Sequence, residues 1–332
     1  MLMQHNYSDD RLRLAARLYY VDGLGQNDVA KFVKVSQAKV SRLLSLARER
    51  GIVQITVADY ESRDKELETQ LVAQLGLVTA VVLKETAGLN HSDLRQTVGH
   101  FASQAVEALI QPKNIVALSG GRTMCELVRN LPNPQNKALT IVQAMGSVDS
   151  TVSIFDAQEV GRVMAKRLGG NFLSLNTPAY MPEKRTRDAL LKLEQVRNVL
   201  DHLARANIAL TGVGTLENSV FVERGVLGRD EVGKLRDAGA VGEICGRFID
   251  KEGNECLTPW RDRVVSTTID QLRHIPQVLG IVAGSDRSTA LLAAIRGGIL
   301  KSLVINEAGA TALLATATAD KTPDIKKKTR KT

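Results

Sequence analysis

Residues 26–50 read QNDVAKFVKVSQAKVSRLLSLARER, a pattern that predicts two short helices joined by a tight turn. The first helix is expected from about Gln26 to Val33, and the second from its cap Ser36 to near Arg50. Apolar residues at helical spacing give each helix one face to bury, namely Val29, Ala30 and Val33, then Val40, Leu43, Leu44 and Ala47. Such a pair is typical of a helix-turn-helix.

A longer helix is predicted before this pair, from about Asp9 to Asp22, with Ser8 as its cap. After the pair, residues 52–57 alternate between apolar and polar side chains like a strand, which would add a wing. The sequence therefore predicts an all-α DNA-binding head, with a wing as an option, over residues 1–58.

The front end of the second helix carries side chains suited to reading DNA. Gln pairs with adenine and Arg with guanine through two hydrogen bonds, while Ser and Lys suit phosphates. In a helix-turn-helix this end of the helix enters the major groove. The residues predicted to contact DNA are Ser36, Gln37, Lys39, Ser41 and Arg42. The alternative is a helical bundle whose basic side chains are only solvated.

The net charge of +8 lies at the two ends of the chain. Residues 1–58 hold nine Lys or Arg and five Asp or Glu, and residues 317–332 hold six and two. The 258 residues between them hold 29 of each sign. A basic head on a neutral body favours contact with a polyanion. The tail, 317–332, has no apolar period and is predicted to be disordered.

Residues 59–76 are predicted to be a helical linker. The apolar residues Leu67, Leu71, Val72 and Leu75 recur there at helical spacing. The linker helix either packs on the body or pairs with a second subunit, and both interpretations stay open. Because an operator with two half-sites requires a symmetric protein, we expect a homodimer or homotetramer.

Short apolar runs alternate with helical patterns over residues 77–316. The predicted strands are Val78–Leu83, Ile115–Leu118, Leu139–Gln143, Asn171–Leu175, Ile208–Thr211, Val241–Cys245, Val278–Ala283 and Ser302–Ile305. This alternation predicts an α/β effector domain, doubly wound and Rossmann-like, with a mainly parallel sheet. In such sheets, ligands bind beyond the carboxyl ends of the strands.

Three glycine-containing loops follow predicted strands, at residues 118–124, 211–216 and 282–288. Their candidate effector-binding residues are Gly120, Gly121, Arg122, Thr123, Gly212, Gly214 and Arg287. Glycines let the backbone approach a ligand, and the N–H groups, hydroxyl and guanidinium groups suit an anion. The first loop matches neither the Walker A nor the GxGxxG pattern, so no nucleotide cofactor is expected.

Several classes of function find no support in the sequence. The three cysteines form no CxxC pair, and the five histidines show no metal-ligand spacing, so neither a disulfide framework nor a metal site is expected. No apolar run is long enough to span a membrane, and no signal peptide is visible, so we expect a cytoplasmic protein without membrane contact.

The motifs together resemble the SorC family of bacterial regulators, which includes DeoR-type and CggR-type sugar sensors. The resemblance runs from about Leu12 to Leu314. It is carried by the three loops and by the motifs Val40-Ser41-Arg42-Leu43-Leu44, Gly51-Ile52-Val53, Pro178-Ala179-Tyr180, Ala240–Asp250 and Ser302–Glu307. It implies a domain similar in fold to sugar-phosphate isomerases, which binds phosphorylated sugars at its strand ends.

The resemblance also assigns expected roles to residues. Gly121, Arg122 and Thr123 fall at the phosphate loop of the family, while Glu243 and Asp250 fall where the family contacts sugar hydroxyls. From the residues alone, Asp250-Lys251-Glu252-Gly253 is typical of a hairpin turn, so both interpretations of Asp250 stay open.

The sequence departs from the family pattern at three positions. Arg287 falls, with a one-residue gap, near a position where the family often has a lysine. Lys34 stands where a glycine is common, which is expected to alter the turn. Gly120 stands where an aromatic residue is common, which is expected to widen the mouth of the pocket.

Taken together, these features predict a DNA-binding transcriptional regulator whose operator affinity is controlled by a sugar, most simply a phosphorylated one. One alternative is an enzyme like a sugar-phosphate isomerase with an appended DNA-binding head. That enzyme would need a positioned acid and base, and the loops show no such set, so no catalytic residue is expected. The other alternative, an architectural DNA-binding protein without effector, does not account for the large body with its glycine loops.

Overall fold

The chain divides into two compact units, residues 1–61 and 62–332. The structure, a computed structural model, describes residues 7–56, 61–85, 88, 90–132, 137–148 and 153–321. Among the described helices, none is both long and apolar enough to cross a membrane.

The head is built from three helices, α1 (Asp9–Ala16), α2 (Gln26–Phe32) and α3 (Gln37–Glu49), with α1 continuing through a π-helical turn at Arg17–Val21. The predicted apolar faces are buried together, and Leu12, Val29, Val40 and Leu43 are fully inaccessible to solvent. The Ser36 hydroxyl accepts a hydrogen bond from the Lys39 N–H at 3.3 Å, which caps α3 as predicted. Ser8 precedes α1, but its side chain makes no capping bond.

The turn between α2 and α3 contains a residue with a left-handed backbone, and the strand predicted after α3 does not form over the described residues. Lys34, in the turn, has a φ of 52°, a left-handed conformation that glycine adopts without strain. The predicted wing is wrong over residues 52–56, which form no strand, and Val57 lies outside the described residues. Alternation over so few residues does not form a strand without a partner to pair with.

The body contains nine strands and eleven helices within residues 62–321. The strands are β1 (Thr79–Leu83), β2 (Ile115–Leu118), β3 (Thr140–Gln143), β4 (Asn171–Leu173), β5 (Ile208–Thr211), β6 (Gly242–Ile244), β7 (Arg247–Ile249), β8 (Gln277–Val282) and β9 (Ser302–Asn306). The helices are α4 (Lys65–Leu75), α5 (His91–Leu109), α6 (Arg122–Asn130), α7 (Ala157–Leu168), α8 (Lys184–Leu190), α9 (Glu194–Ala204), α10 (Val220–Glu223), α11 (Arg229–Asp237), α12 (Ile269–His274), α13 (Ser288–Arg296) and α14 (Glu307–Lys321).

Seven of these strands form one parallel sheet in the order β1-β9-β8-β5-β2-β3-β4. After β4 the chain returns to the other side of β2, so the winding reverses between β2 and β5. Two separate apolar cores cover the faces of the sheet, one with α5, α6 and α7 and the other with α9, α12, α13 and α14. The predicted doubly wound fold is confirmed, and its reversal point is where a ligand site is expected.

The segment that enters the body is bound to the edge of the sheet. Arg63 pairs antiparallel with Leu83, and the Lys84 N–H donates to the carbonyl of Ser62 at 2.9 Å. The following helix, α4, packs on the body through Leu71, which is fully buried. Of the two interpretations left open for the linker helix, the structure thus favours packing on the body.

Two other features of the body correct the sequence-based prediction. The segment predicted as a strand at Val241–Cys245 does not join the parallel sheet, because β6 pairs antiparallel with β7 in a hairpin. The disorder predicted for residues 317–332 is wrong over residues 317–321, because α14 extends to Lys321 and buries Ala317 in the body core. The rest of that tail, residues 322–332, lies outside the described residues.

Candidate functional site

The predicted DNA-reading residues lie on one exposed end of α3. The side chains of Ser36, Gln37, Lys39, Ser41 and Arg42 are all exposed. The opposite face of α3, with Val40, Leu43, Leu44 and Ala47, is buried in the head. This arrangement leaves the front of the helix free to meet another molecule.

Eight of the nine basic side chains of the head fall into two groups, and the ninth, Arg48, donates to the Ser45 hydroxyl at 3.4 Å. Five of them are held by a carboxylate or a backbone carbonyl of the head: Arg11, Arg13, Arg17, Lys31 and Arg50. In contrast, Lys34, Lys39 and Arg42 have no hydrogen-bond or ion-pair partner in the part of the chain that the structure describes. The cations available to a polyanion are therefore those of the turn and of the front of α3.

In the body, a cavity of about 450 Å³ opens at the carboxyl ends of the central strands. Loops after β2, β5 and β8 line it together, as predicted, at the point where the winding reverses. The predicted residues among its walls are Gly120, Gly121, Arg122, Thr123, Gly212, Gly214, Glu243 and Arg287. The volume is within the range of sites for a single small molecule.

The three loops are bonded to one another. The Gly212 N–H donates to the Ser119 hydroxyl at 3.3 Å, which links the loops after β2 and β5. The Asn218 amide donates to the Asp286 carboxylate at 2.9 Å, which links the segment after β5 to the loop after β8. These two hydrogen bonds connect neighbouring walls of the cavity.

Gly120 and Gly121 are required by the backbone around them. A Cβ atom on Gly120 would lie 2.6 Å from the Ala157 nitrogen and 2.7 Å from the Phe155 oxygen. The expectation that Gly120 widens the mouth is therefore wrong, because the backbone of residues 155–157 fills that space. Gly121 caps α6 with a φ of 122°, a conformation that other residues rarely adopt.

Two arginines of the cavity are paired with carboxylates. Arg122, at the start of α6, forms an ion pair with Glu223 of α10. Both side chains of this pair are half exposed. Arg287 binds the Asp286 carboxylate at 2.7 Å and also donates to the carbonyl of Ala283 at 2.9 Å.

The sequence did not single out Arg224, which also lines the cavity, or a further arginine of the cavity, Arg95 of α5. The Arg95 side chain has no hydrogen-bond or ion-pair partner among the described residues. Burial lowers the pKa of Arg95, and the positive charges of Arg122 and Arg287 lower that pKa further. Arg95 therefore lies near enough to Arg122 and Arg287 to be affected by both positive charges, and the carboxylate of Glu126 offsets this effect only in part.

Glu243 is buried at the wall of the cavity. Its carboxylate accepts hydrogen bonds from the Gly246 N–H, at 2.8 Å, and from the Ser219 hydroxyl. Burial raises the pKa of this carboxyl above its usual value, and those hydrogen bonds oppose the rise. The Trp260 indole donates to the carbonyl of Gly246 at 2.8 Å, so the single tryptophan of the chain lies close to this wall.

Asp250 does not lie with the other candidate residues. It is absent from the cavity walls, and its carboxylate accepts hydrogen bonds from the N–H groups of Glu252 and Asn254. The turn predicted for residues 250–253 forms, because the Gly253 N–H donates to the carbonyl of Asp250 at 3.0 Å. The placement of Asp250 thus favours the turn interpretation over contact with a sugar hydroxyl.

The carboxylates along the cavity are engaged within the protein. Glu223 and Asp286 hold arginines, Glu243 accepts two hydrogen bonds, and Asp156 accepts one from the Ser153 N–H at 2.6 Å. Within the described ranges, no histidine lines the cavity and no cluster of three or more His, Cys, Asp or Glu is placed to hold a metal. Burial raises the pKa of the Cys245 thiol to about 12.

Comparison with known proteins gives consistent matches along nearly the whole chain. Residues 61–315 match the family model described as "Putative sugar-binding domain". A transcriptional regulator of Escherichia coli named YjhU, itself uncharacterised, is 30% identical over 93% of this chain and 95% of its own length. The deoxyribonucleoside regulator of Bacillus subtilis is 29% identical over 90% of this chain and 96% of its own.

Similarity to a solved structure extends over both units. The crystal structure of the full-length sorbitol operon regulator SorC from Klebsiella pneumoniae matches with a TM-score of 0.75 and 27% identity. The match covers 93% of this chain and all of that one.

Proposed function

Because the chain belongs to the SorC-type family that carries this sugar-binding domain, we propose that it is a transcriptional regulator controlled by a sugar. In this proposal, the head binds operator DNA, and a sugar in the cavity changes the affinity of that binding. The observation that carries it is the combination, in one chain, of an exposed recognition helix and a preformed cavity at the reversal point of the sheet. We place the protein in the cytoplasm, where its DNA target lies.

The head supports DNA binding through charges that nothing in the described chain neutralises. Lys34, Lys39 and Arg42 lie at the turn and front of α3, where a helix-turn-helix meets the major groove. Arg42 and Gln37 then read bases, and the lysines and serines bind phosphates. Because one head covers one half-site, the proposed active species is a homodimer or homotetramer.

The body supports a phosphorylated sugar as the effector. The guanidinium of Arg122 and the backbone N–H groups at the start of α6 favour an anion. The Thr123 hydroxyl and the buried Glu243 offer hydrogen-bonding groups for the uncharged part of a sugar. Arg287 adds a further positive charge to the walls of the cavity.

A chain of hydrogen bonds connects the cavity with the segment that leads to the head. The Gly284 N–H, in the loop of Arg287, donates to the Asn306 side chain at 2.8 Å, and Asn306 donates to the carboxylate of Glu85. Next to Glu85, Lys84 is bonded to Ser62, the first residue of the body. We propose that ligand-induced movement of the loop reaches residues 62–64 along this route and changes the spacing of the heads.

An enzyme is the less favoured function for this cavity. A general base needs a carboxylate or imidazole that is free to reach a substrate proton. The four carboxylates along the described walls already bind arginines or N–H groups, which suits binding more than catalysis. Turnover of a sugar phosphate by the purified chain would instead favour the enzyme.

The proposal is tested by selecting duplexes from a random pool with the full-length chain. The selected duplex is then titrated with the protein in the presence of free sugars and of their phosphates. The expected result is a palindromic site whose affinity changes with at least one sugar phosphate. Binding without sequence preference, with a strong dependence on salt, would favour the architectural protein.

A further inference from the structure

One arginine of the cavity, Arg95, takes part in no ion pair of the described chain. Arg122 is balanced by Glu223 and Arg287 by Asp286, whereas Arg95 has no such partner among the residues that the structure describes. An unpaired arginine beside two others, partly shielded from water, is unfavourable for the empty protein. A ligand with negative charge would relieve this repulsion.

We propose that Arg95 is a specificity-determining residue that makes the cavity prefer a dianionic phosphate ester over the uncharged sugar. This inference rests on the proposed function, since it concerns the effector of the same cavity. The phosphate group binds between Arg95 and Arg122, and Glu223 leaves Arg122 as the ligand enters. The sugar then points toward Glu243.

Exchange of Glu223 for a phosphate at Arg122 costs little. The two side chains of that pair are about half exposed, at 50% and 53%, and exposed ion pairs contribute little to stability. A phosphate monoester carries a charge of about −1.5 to −2 at neutral pH and offers three acceptor oxygens. It can therefore bind both guanidinium groups at once, which the single carboxylate of Glu223 cannot do.

The same charges explain why an uncharged sugar would bind poorly. An uncharged sugar carries no negative charge to neutralise Arg95, and its hydroxyl groups cannot compete with the Glu223 carboxylate for Arg122. The preference thus comes from a cation that the empty protein leaves unpaired.

The experiment compares the full-length wild-type chain with R95Q, R95K and the control R162Q. Arg162 lies on the surface of α7, paired with Glu159 and outside the cavity. The probes are inorganic phosphate, glucose and glucose 6-phosphate, with chloride at matched ionic strength, and binding is measured by thermal shift and by Trp260 fluorescence. We expect R95Q to bind phosphate about 10-fold more weakly than wild type, R95K to retain part of the affinity, and R162Q to match wild type.

The unliganded melting temperature separates this role from a structural one. If Arg95 only supports the fold, R95Q lowers the melting temperature, whereas our account expects no loss because a repulsion is removed. Equal phosphate affinity of R95Q and wild type, or a wild type that binds no phosphate, would overturn the inference.

Failure of this inference is distinguishable from failure of the proposed function. If an uncharged sugar alone changes operator affinity, the chain is a sugar-controlled regulator but Arg95 has no such role. If phosphate binding depends on Arg95 while no sugar phosphate changes operator affinity, the role of Arg95 stands. The proposed control of DNA binding by a sugar phosphate is then wrong.

Discussion

The cations at the turn and front of α3 differ from two of the cavity arginines in how they are held. In the head, Lys34, Lys39 and Arg42 have no partner in the described chain, whereas in the cavity Arg122 and Arg287 each bind a carboxylate. Free surface cations suffice for DNA, because its phosphates are many and their counterions are released on binding. In a small cavity, internal carboxylates exclude weak ligands, so only a ligand that replaces them is bound. In the proposed function, this difference suits the surface of the head to strong contact with DNA and the cavity to selection among small ligands.

The largest effect that tests the comparison between head and cavity is expected at Gly120, where the cavity depends on close backbone packing. G120V would drive a side chain into the backbone at Phe155 and Ala157, so we expect effector affinity to fall by about 1–3 kcal/mol or more. Affinity for the selected duplex, without effector, should be unchanged because the head folds as a separate unit.

The control for G120V is G228A, because Gly228 has a negative φ and no atom within 4 Å of an added Cβ. Calorimetric titration with the active sugar phosphate measures both variants. Normal effector binding by G120V would show that the loop does not shape the site.

The next largest effect is expected at Arg42, on the head. R42A should weaken binding to the selected duplex by about 1–3 kcal/mol and relax preference at one base pair. The matched control is R13A, since Arg13 is also exposed but pairs with Asp10. Fluorescence anisotropy with cognate and altered duplexes gives the comparison. An equal loss on all sequences would mean that Arg42 binds phosphate and reads no base.

A smaller effect is expected at Glu85, which lies on the proposed route from the cavity to residues 62–64 of the body. E85A removes the acceptor for Asn306 and should reduce the coupling between effector and duplex by about 0.5–2 kcal/mol, while each ligand alone binds normally. D201A removes an exposed carboxylate of α9, away from this route, and serves as the control. Duplex titrations with and without effector measure the coupling. If effector and duplex binding remain fully coupled in E85A, the coupling does not pass through Glu85.

The smallest effect concerns the turn of the head. Lys34 has a positive φ of 52°, so K34G should stabilise the head by about 0.5–1 kcal/mol by removing strain. K31G, inside α2, should destabilise it by about 1 kcal/mol. Chemical denaturation followed by circular dichroism measures both. A loss of duplex affinity in the stabilised K34G would also assign the Lys34 cation to DNA contact.

Much of the fold could be predicted because local patterns specify it. The ends of β2 and β5, and of α3 to within a residue, follow from apolar runs, caps and glycines. The hairpin of β6 and β7 was missed because a short apolar run fits either a sheet strand or a buried hairpin equally well. The end of α14 was missed because its alanines and threonines become helical by packing on the body.

The site was predictable where strand ends marked it. Gly121, Arg122 and Arg287 follow strands, so the parallel sheet brings them together. Arg95 lies near the start of α5, one element before the first of those loops, and no glycine or strand end distinguishes it from other arginines. Nor does a sequence reveal which of the basic side chains in the head find internal partners.

The central claim is that one ligand alters the binding of the other, and reciprocal linkage tests it most directly. The affinity of the active sugar phosphate is measured for the free chain and for the chain saturated with its selected duplex. Our account predicts that the duplex changes this affinity by the same factor, about 5- to 150-fold, by which the effector changes duplex affinity. Equal effector affinity with and without the duplex would contradict it.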